Sequence, residues 1–110
     1  MVAEQHEAVV VLITAPTKHE AEQLALMLVE NCLAACVQLL PGIESIYRWQ
    51  GKVERQEEVL LIAKTLGSKF ADLEREVRAH HSYETPEIVA IPVVDGSADY
   101  LAWLRGGTGQ

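Results

Sequence analysis

This chain is short of basic charge, long apolar runs and cysteine, and each shortage excludes something. Lysine and arginine number 9 against 16 aspartates and glutamates, for a net charge of −7. No basic cluster stands out, so the electrostatic footprint of a nucleic-acid binder or of a protein attached to anionic membranes is missing. The longest apolar runs fall far short of the ~20 residues a membrane-spanning helix needs. The opening MVAEQHEA is acidic and has no basic stretch, so no secretory signal is visible and a cytoplasmic location is expected. Two cysteines, Cys32 and Cys36, are spaced wrongly for a zinc ribbon or a redox CxxC pair. On one strand they would stand about 13 Å apart, beyond the ~7 Å a disulfide tolerates, so both are expected reduced. Internal repeats, linkers and low-complexity tracts are absent, and 110 residues suit one domain, expected to span 1–110. A nucleophile–base signature, a glycine-rich phosphate loop and a metalloprotease motif are absent too, so catalysis is not expected.

What is there is apolar content, 49% hydrophobic residues, and one long hairpin. In GIESIYRWQGKVE, Ile43, Ser45, Tyr47 and Trp49 fall on one face of a strand and Glu44, Ile46, Arg48 and Gln50 on the other. Gln50-Gly51 supplies the tight turn. The return arm, Val53 to Lys64, ends in VLLIA, apolar on both faces and therefore central in a sheet. The outgoing arm from Leu33 to Gln50 could reach roughly 60 Å at full extension. A domain of this length is only ~35 Å across. Pro41-Gly42 can bend the arm. The projecting part, with Ile46, Tyr47 and Trp49, calls for cover from neighbouring subunits, because an exposed two-stranded ribbon is marginal and adhesive.

The rest of the chain supplies a frame for that hairpin. Ala8 to Ala15 reads as a buried strand, stopped by Pro16. Thr17 and Glu20 form a capping box before a helix that buries Ala21, Leu24, Ala25, Leu28 and Val29 and ends at Asn31. A second helix, about 69–80, is opened by Gly67-Ser68 and carries Phe70, Leu73 and Val77 on its apolar face. Glu87 to Val94 is a strand whose Pro92 places it at an edge. Ser97 caps a short helix, 98–104, closed by Gly106-Gly107, and the terminal GGTGQ is expected to fray. The order β-α-β-β-α-β gives an α+β, ferredoxin-like sandwich: a four-stranded antiparallel sheet with both main helices on one face and no helix of its own on the other. That second face is too apolar for water, which again points to oligomerisation.

One stretch concentrates chemistry. Ala79–Glu87, AHHSYETPE, holds two imidazoles, a phenol and two carboxylates. Imidazole favours copper, zinc and nickel. A helix C-terminus also attracts a histidine for structural reasons, and half-buried histidines are ordinary. Side chains of adjacent histidines diverge, so an ion would need a third donor, Cys36 or another subunit. Cys36 reads either as a small buried hydrophobe or as a soft copper thiolate. Trp49, Tyr47 and Trp103 suit an interface core better than a ligand box. An enzyme using Glu84 or His81 as a base would need a second group that the sequence does not place.

CLAACVQLLPGIESIYRWQGKVERQEEVLLIAKT, HHSYETPEIVAIPV and DYLAWL together closely resemble the CutA divalent-cation tolerance family, and VVVLITAP extends the resemblance over nearly the whole chain. The resemblance implies a ferredoxin-like fold assembled as a tight homotrimer, with long hairpins packed on neighbouring subunits, like the nitrogen-regulatory PII proteins. It implies a non-catalytic role in tolerance to copper and other divalent cations. Carried over by position, His80, His81 and Cys36 are the metal ligands, with copper or another divalent cation as the bound ion. This chain has Ile13 where some members have Cys, and Ser82 where HPYE is usual. The alternative is a PII-like signalling scaffold that binds a small metabolite or a partner protein in clefts between subunits.

Overall fold

Period-two burial builds the sheet in this structure, a computed structural model in which residues 7–109 are described. The first six residues of the segment read above for a targeting signal, and Gln110, lie outside the described residues. Strand β1 (Ala8–Ala15) sits between β3 (Lys52–Leu66) and β4 (Ile88–Pro92), and β2 (Cys36–Trp49) flanks β3. All three pairings are antiparallel, in the order β2-β3-β1-β4. The VLLIA segment is central as expected, and β4 is an edge with Pro92 at its last position.

Val9, Val11, Ile13 and Ala15 of β1 and Val59, Leu61 and Ala63 of β3 bury one face. Helix α1 (Lys18–Glu30) adds Ala21, Leu24 and Leu28 to that core, and α2 (Phe70–His80) adds Leu73 and Val77. The α1 stripe is narrower than its periodicity suggests, because Val29 is 41% exposed and only half-buried Ala25 and Met27 extend it. Thr17 accepts from the Glu20 amide as N-cap, and Asn31 is the C-cap, its side chain donating to the Met27 carbonyl at 2.8 Å. Cys32 then takes a positive φ of 58° in the turn rather than lying on a strand. Cys32 and Cys36 are both free.

The hairpin is the long feature expected. Gln50 and Gly51 both have positive φ, 50° and 80°, the pattern of a two-residue primed turn. Pro41 and Gly42 together oppose the single residue Val59 in a bulge, since Leu40 pairs with Leu60 and Ile43 with Glu58. This bulge, with Gly42 at φ 79°, bends the outgoing arm where the sequence placed the kink. The molecule measures 44 × 31 × 23 Å with a radius of gyration of 14.4 Å, slightly extended for its length.

The sheet's second face carries Val10, Leu12, Leu60 and Ile62, half-buried, with Leu40, Val89 and Ile91 about half exposed. It is not wholly without its own helix. Helix α3 (Ala98–Gly107) packs on β3 at one end of this face, and the Lys64 ammonium lies 5.7 Å over the Tyr100 ring. Ser97 makes no side-chain cap bond, and α3 runs through both glycines instead of stopping at them. Gly107 approaches Ala35 so closely that a Cβ there would sit 2.8 Å from the Ala35 Cβ. Nor do Thr108 and its neighbours fray: Thr108 is buried, and its hydroxyl donates to the Arg105 carbonyl at 3.0 Å.

Candidate functional site

The loop from His81 to Glu87 carries the chain from the end of α2 across the end of β1 and into β4. His81 anchors it. Its side chain is fully buried, with Nε2 2.8 Å from the Thr14 carbonyl and Nδ1 3.0 Å from the Tyr83 amide. A carbonyl can only accept and an amide N–H can only donate, so this geometry fits a neutral ring protonated on Nε2. The Glu20 carboxylate, which a full capping box would return to the Thr17 amide, instead accepts from the Ser82 amide at 2.9 Å and the Ser82 hydroxyl at 3.0 Å. The same oxygen lies 3.3 Å from His81 Nδ1. The first turn of α1 therefore holds the loop in place.

So held, Tyr83 reaches the base of the hairpin. Its hydroxyl donates to Glu58 at 2.8 Å and accepts from the Gln56 amide at 2.8 Å, while Gln56 accepts from the Tyr47 hydroxyl at 2.8 Å. Gln56 and Glu58 are two apart on β3 and so share a face, and Ser45 and Ile43 stand opposite them on β2. Glu58 is buried, 7% exposed. Burial, then the hydrogen bond to the Glu58 carboxylate and its charge, push the Tyr83 phenol up to about 12, against a smaller opposing effect of Gln56. Around this chain of four side chains opens a cleft of about 740 Å³, walled also by Trp49, Ile46, Ser82, Glu84, Thr85 and Glu87. That volume is in the range of small-molecule sites.

The three residues to which the resemblance points are placed differently. His80 is exposed, its Nδ1 2.8 Å from the Glu76 carbonyl, which leaves Nε2 toward solvent. His81 has both ring nitrogens engaged by backbone. Cys36 is half-buried and pairs with Lys64, which is level with Val10, whereas His81 bonds Thr14. Four residues of strand separate those levels, about 13 Å. One chain therefore does not bring the three around a single ion, and among the described residues no three His, Cys, Asp or Glu converge as a cation site.

Gln56 and Glu58 were not singled out from the sequence. Their signal was present as a polar run, Glu54, Gln56 and Glu58, at alternate positions of an arm that turns apolar from Val59. What could not be read was Tyr83, 25 residues from Glu58, arriving on that face.

The comparisons with known proteins agree with this architecture. The family model described as CutA1 divalent ion tolerance protein matches residues 9–106. The divalent-cation tolerance protein CutA of Thermus thermophilus is 51% identical over 100 residues, 91% of this chain and 97% of that protein. A solved structure of the divalent cation tolerance protein from Thermus thermophilus superposes with a TM-score of 0.91 at 50% identity, covering 93% of this chain and 99% of that one. The chloroplastic protein CutA of Arabidopsis thaliana is 45% identical over 101 residues, 92% of this chain but 56% of that protein. Sequence, sheet order and hairpin together place the chain in one family: it belongs to the CutA1 divalent ion tolerance proteins.

Proposed function

We propose that this chain serves divalent-cation tolerance as a non-catalytic, cytoplasmic homotrimer that binds a divalent metal ion, copper foremost. The observation that carries the assembly is the second face of the sheet, where Leu40, Val89 and Ile91 are 51%, 49% and 46% exposed beside half-buried Val10, Leu12, Leu60 and Ile62. A contiguous apolar surface of this kind marks a protein contact. Head-to-tail contacts, with the β2 edge of one copy against the β4 edge of the next, would close the copies as a ring. Light scattering at micromolar concentration should return three times the chain mass of 12.1 kDa. A folded single chain would overturn the reading.

The donors proposed for the ion are His80, His81 and Cys36. His80 offers an open Nε2, and Cys36 faces the apolar surface through which copies would meet. His81 would have to release the Tyr83 amide to bind through Nδ1. An ion using all three draws on more than one chain. Calorimetric titration with copper(II) should show weaker binding for the double variant His80→Ala, His81→Ala and for Cys36→Ser. Unchanged binding in both rejects these ligands.

A second reading is favoured by the cleft. Its volume and its Tyr47–Gln56–Tyr83–Glu58 chain suit a PII-like scaffold that takes up a small molecule. Thermal-shift screening separates the two: stabilisation by metal alone supports the first, and stabilisation by a metabolite without metal supports the second.

A further inference from the structure

The walls of the cleft have a charge bias. Glu58, Glu84 and Glu87 contribute three carboxylates, and among the described residues no lysine, arginine or histidine lines it. Glu58 is the decisive one. It is more than nine-tenths buried, and among the described residues its hydrogen-bond donor is the neutral Tyr83 hydroxyl, with no basic side chain within salt-bridge distance. A buried carboxylate without a cationic partner is costly, and the cost falls when a cation enters. Nearby cations point elsewhere: Arg55 pairs with Glu44 on the opposite face of the hairpin, and Arg48 donates to the Gly51 carbonyl. Lys52, opposite Trp49 at the tip, lies outside the lining.

Two further features select the kind of cation. The carboxylates do not converge on one point, since no three acidic groups, cysteines or histidines among the described residues could hold a metal ion. Spread charges in a cleft of about 740 Å³ suit a ligand with length and several donors rather than a point charge. In the single chain the walls also include Tyr47 and Trp49, 39% and 55% exposed, and aromatic surface attracts ammonium groups through the ring quadrupole. We infer that the cleft at the base of the hairpin binds a small organic ammonium compound, with Glu58 as the buried anchor, Glu84 and Glu87 at the rim and Trp49 as an aromatic wall. This rests on the reading of the cleft as a small-molecule site and specifies its ligand class.

The test uses tryptophan emission in a Trp103→Phe background, which leaves Trp49 as the reporter of the chain's two tryptophans. Spermidine, 1,8-octanediol, glutarate and magnesium are titrated at constant ionic strength. Spermidine should change Trp49 emission saturably, binding at least tenfold more tightly than the diol, glutarate or magnesium. Glu58→Gln should weaken spermidine at least tenfold, whereas Glu57→Gln, one residue away on the other face of β3, should change it less than twofold. If Glu58→Gln does not fold, the pair Glu84→Gln, Glu87→Gln takes its place, with at least threefold weakening expected. An equal response to magnesium, or indifference to these substitutions, overturns the inference. Glutarate or diol binding ahead of spermidine sinks the ammonium ligand and leaves the cleft reading standing. Saturable binding by none of the probes sinks both.

Discussion

Leu60 and Leu61 are adjacent on β3, yet one is half-buried on the open face and the other is sealed beneath the helices at 0% exposure. The same division runs through the sheet. The helix-covered face is buried by its own chain, with Val11, Ile13, Leu61 and Ala63 at 0% exposure. The open face, and the hairpin that continues from it, carry apolar side chains left about half exposed among the described residues and polar ones that wall a cleft. Self-sufficiency on one face and unfinished surface on the other is how a small sheet separates stability from recognition.

The largest effect should follow from attacking the closed face. Leu61→Ala leaves a cavity that the fixed helices cannot fill, a loss of about 2–5 kcal/mol in urea denaturation. Leu60→Ala, the same chemical change one residue away, should cost much less in the isolated chain. In the proposed assembly its cost should depend on protein concentration, because another copy would then cover the side chain. Equal, concentration-independent losses would erase the distinction between the faces.

A sharper attack on the open face is Ile91→Asp. Ile91 is 46% exposed on the edge strand, so a carboxylate there is tolerated by a lone chain but not under a partner. The expected result is a drop in light-scattering mass with the circular dichroism of the fold retained. An unchanged mass would free this face from any role in assembly.

The cleft offers a smaller and chemically specific effect. Tyr83→Phe removes the hydroxyl that joins Gln56 to Glu58 and leaves a buried carboxylate without its donor, a loss of about 1–3 kcal/mol. The phenol also sets a pH dependence. Its folded value, pushed up to about 12, exceeds the ordinary 10, so the folded state keeps a proton that the unfolded state releases. The stability it contributes is whole below pH 10 and is lost as pH rises toward 12. Phenolate absorbance should show one of the three tyrosines ionising late, and Tyr83→Phe should remove that phase.

The same two faces explain what the sequence disclosed. Helices and strands follow from local period, so β1, the Gln50-Gly51 turn and the Pro41-Gly42 bend were legible from neighbouring residues alone. Val29 and the path of α3 through Gly106 and Gly107 were not, because burial and close approach depend on what lies opposite, here Ala35 for Gly107. The site was legible only as a concentration of polar types in HHSYETPE. That His81 is a buried brace and Tyr83 reaches Glu58 is settled by the way the loop crosses the end of β1, a long-range contact that no spacing encodes.

The smallest effect discriminates between two roles of one motif. Thr17 and Glu20 have capping-box spacing, but only half of the box is made: Thr17 accepts from the Glu20 amide at 3.1 Å, while the Glu20 carboxylate is spent on Ser82. Thr17→Ala should therefore cost about 1 kcal/mol as an ordinary lost cap, without altering the cleft. Glu20→Gln should leave the α1 cap intact and loosen the loop instead. Its signature is faster amide hydrogen exchange at Ser82 and Tyr83 with exchange in α1 unchanged. If both substitutions act on α1 alone, the loop is held by something other than the first turn of that helix, and the closed face does not position the open one.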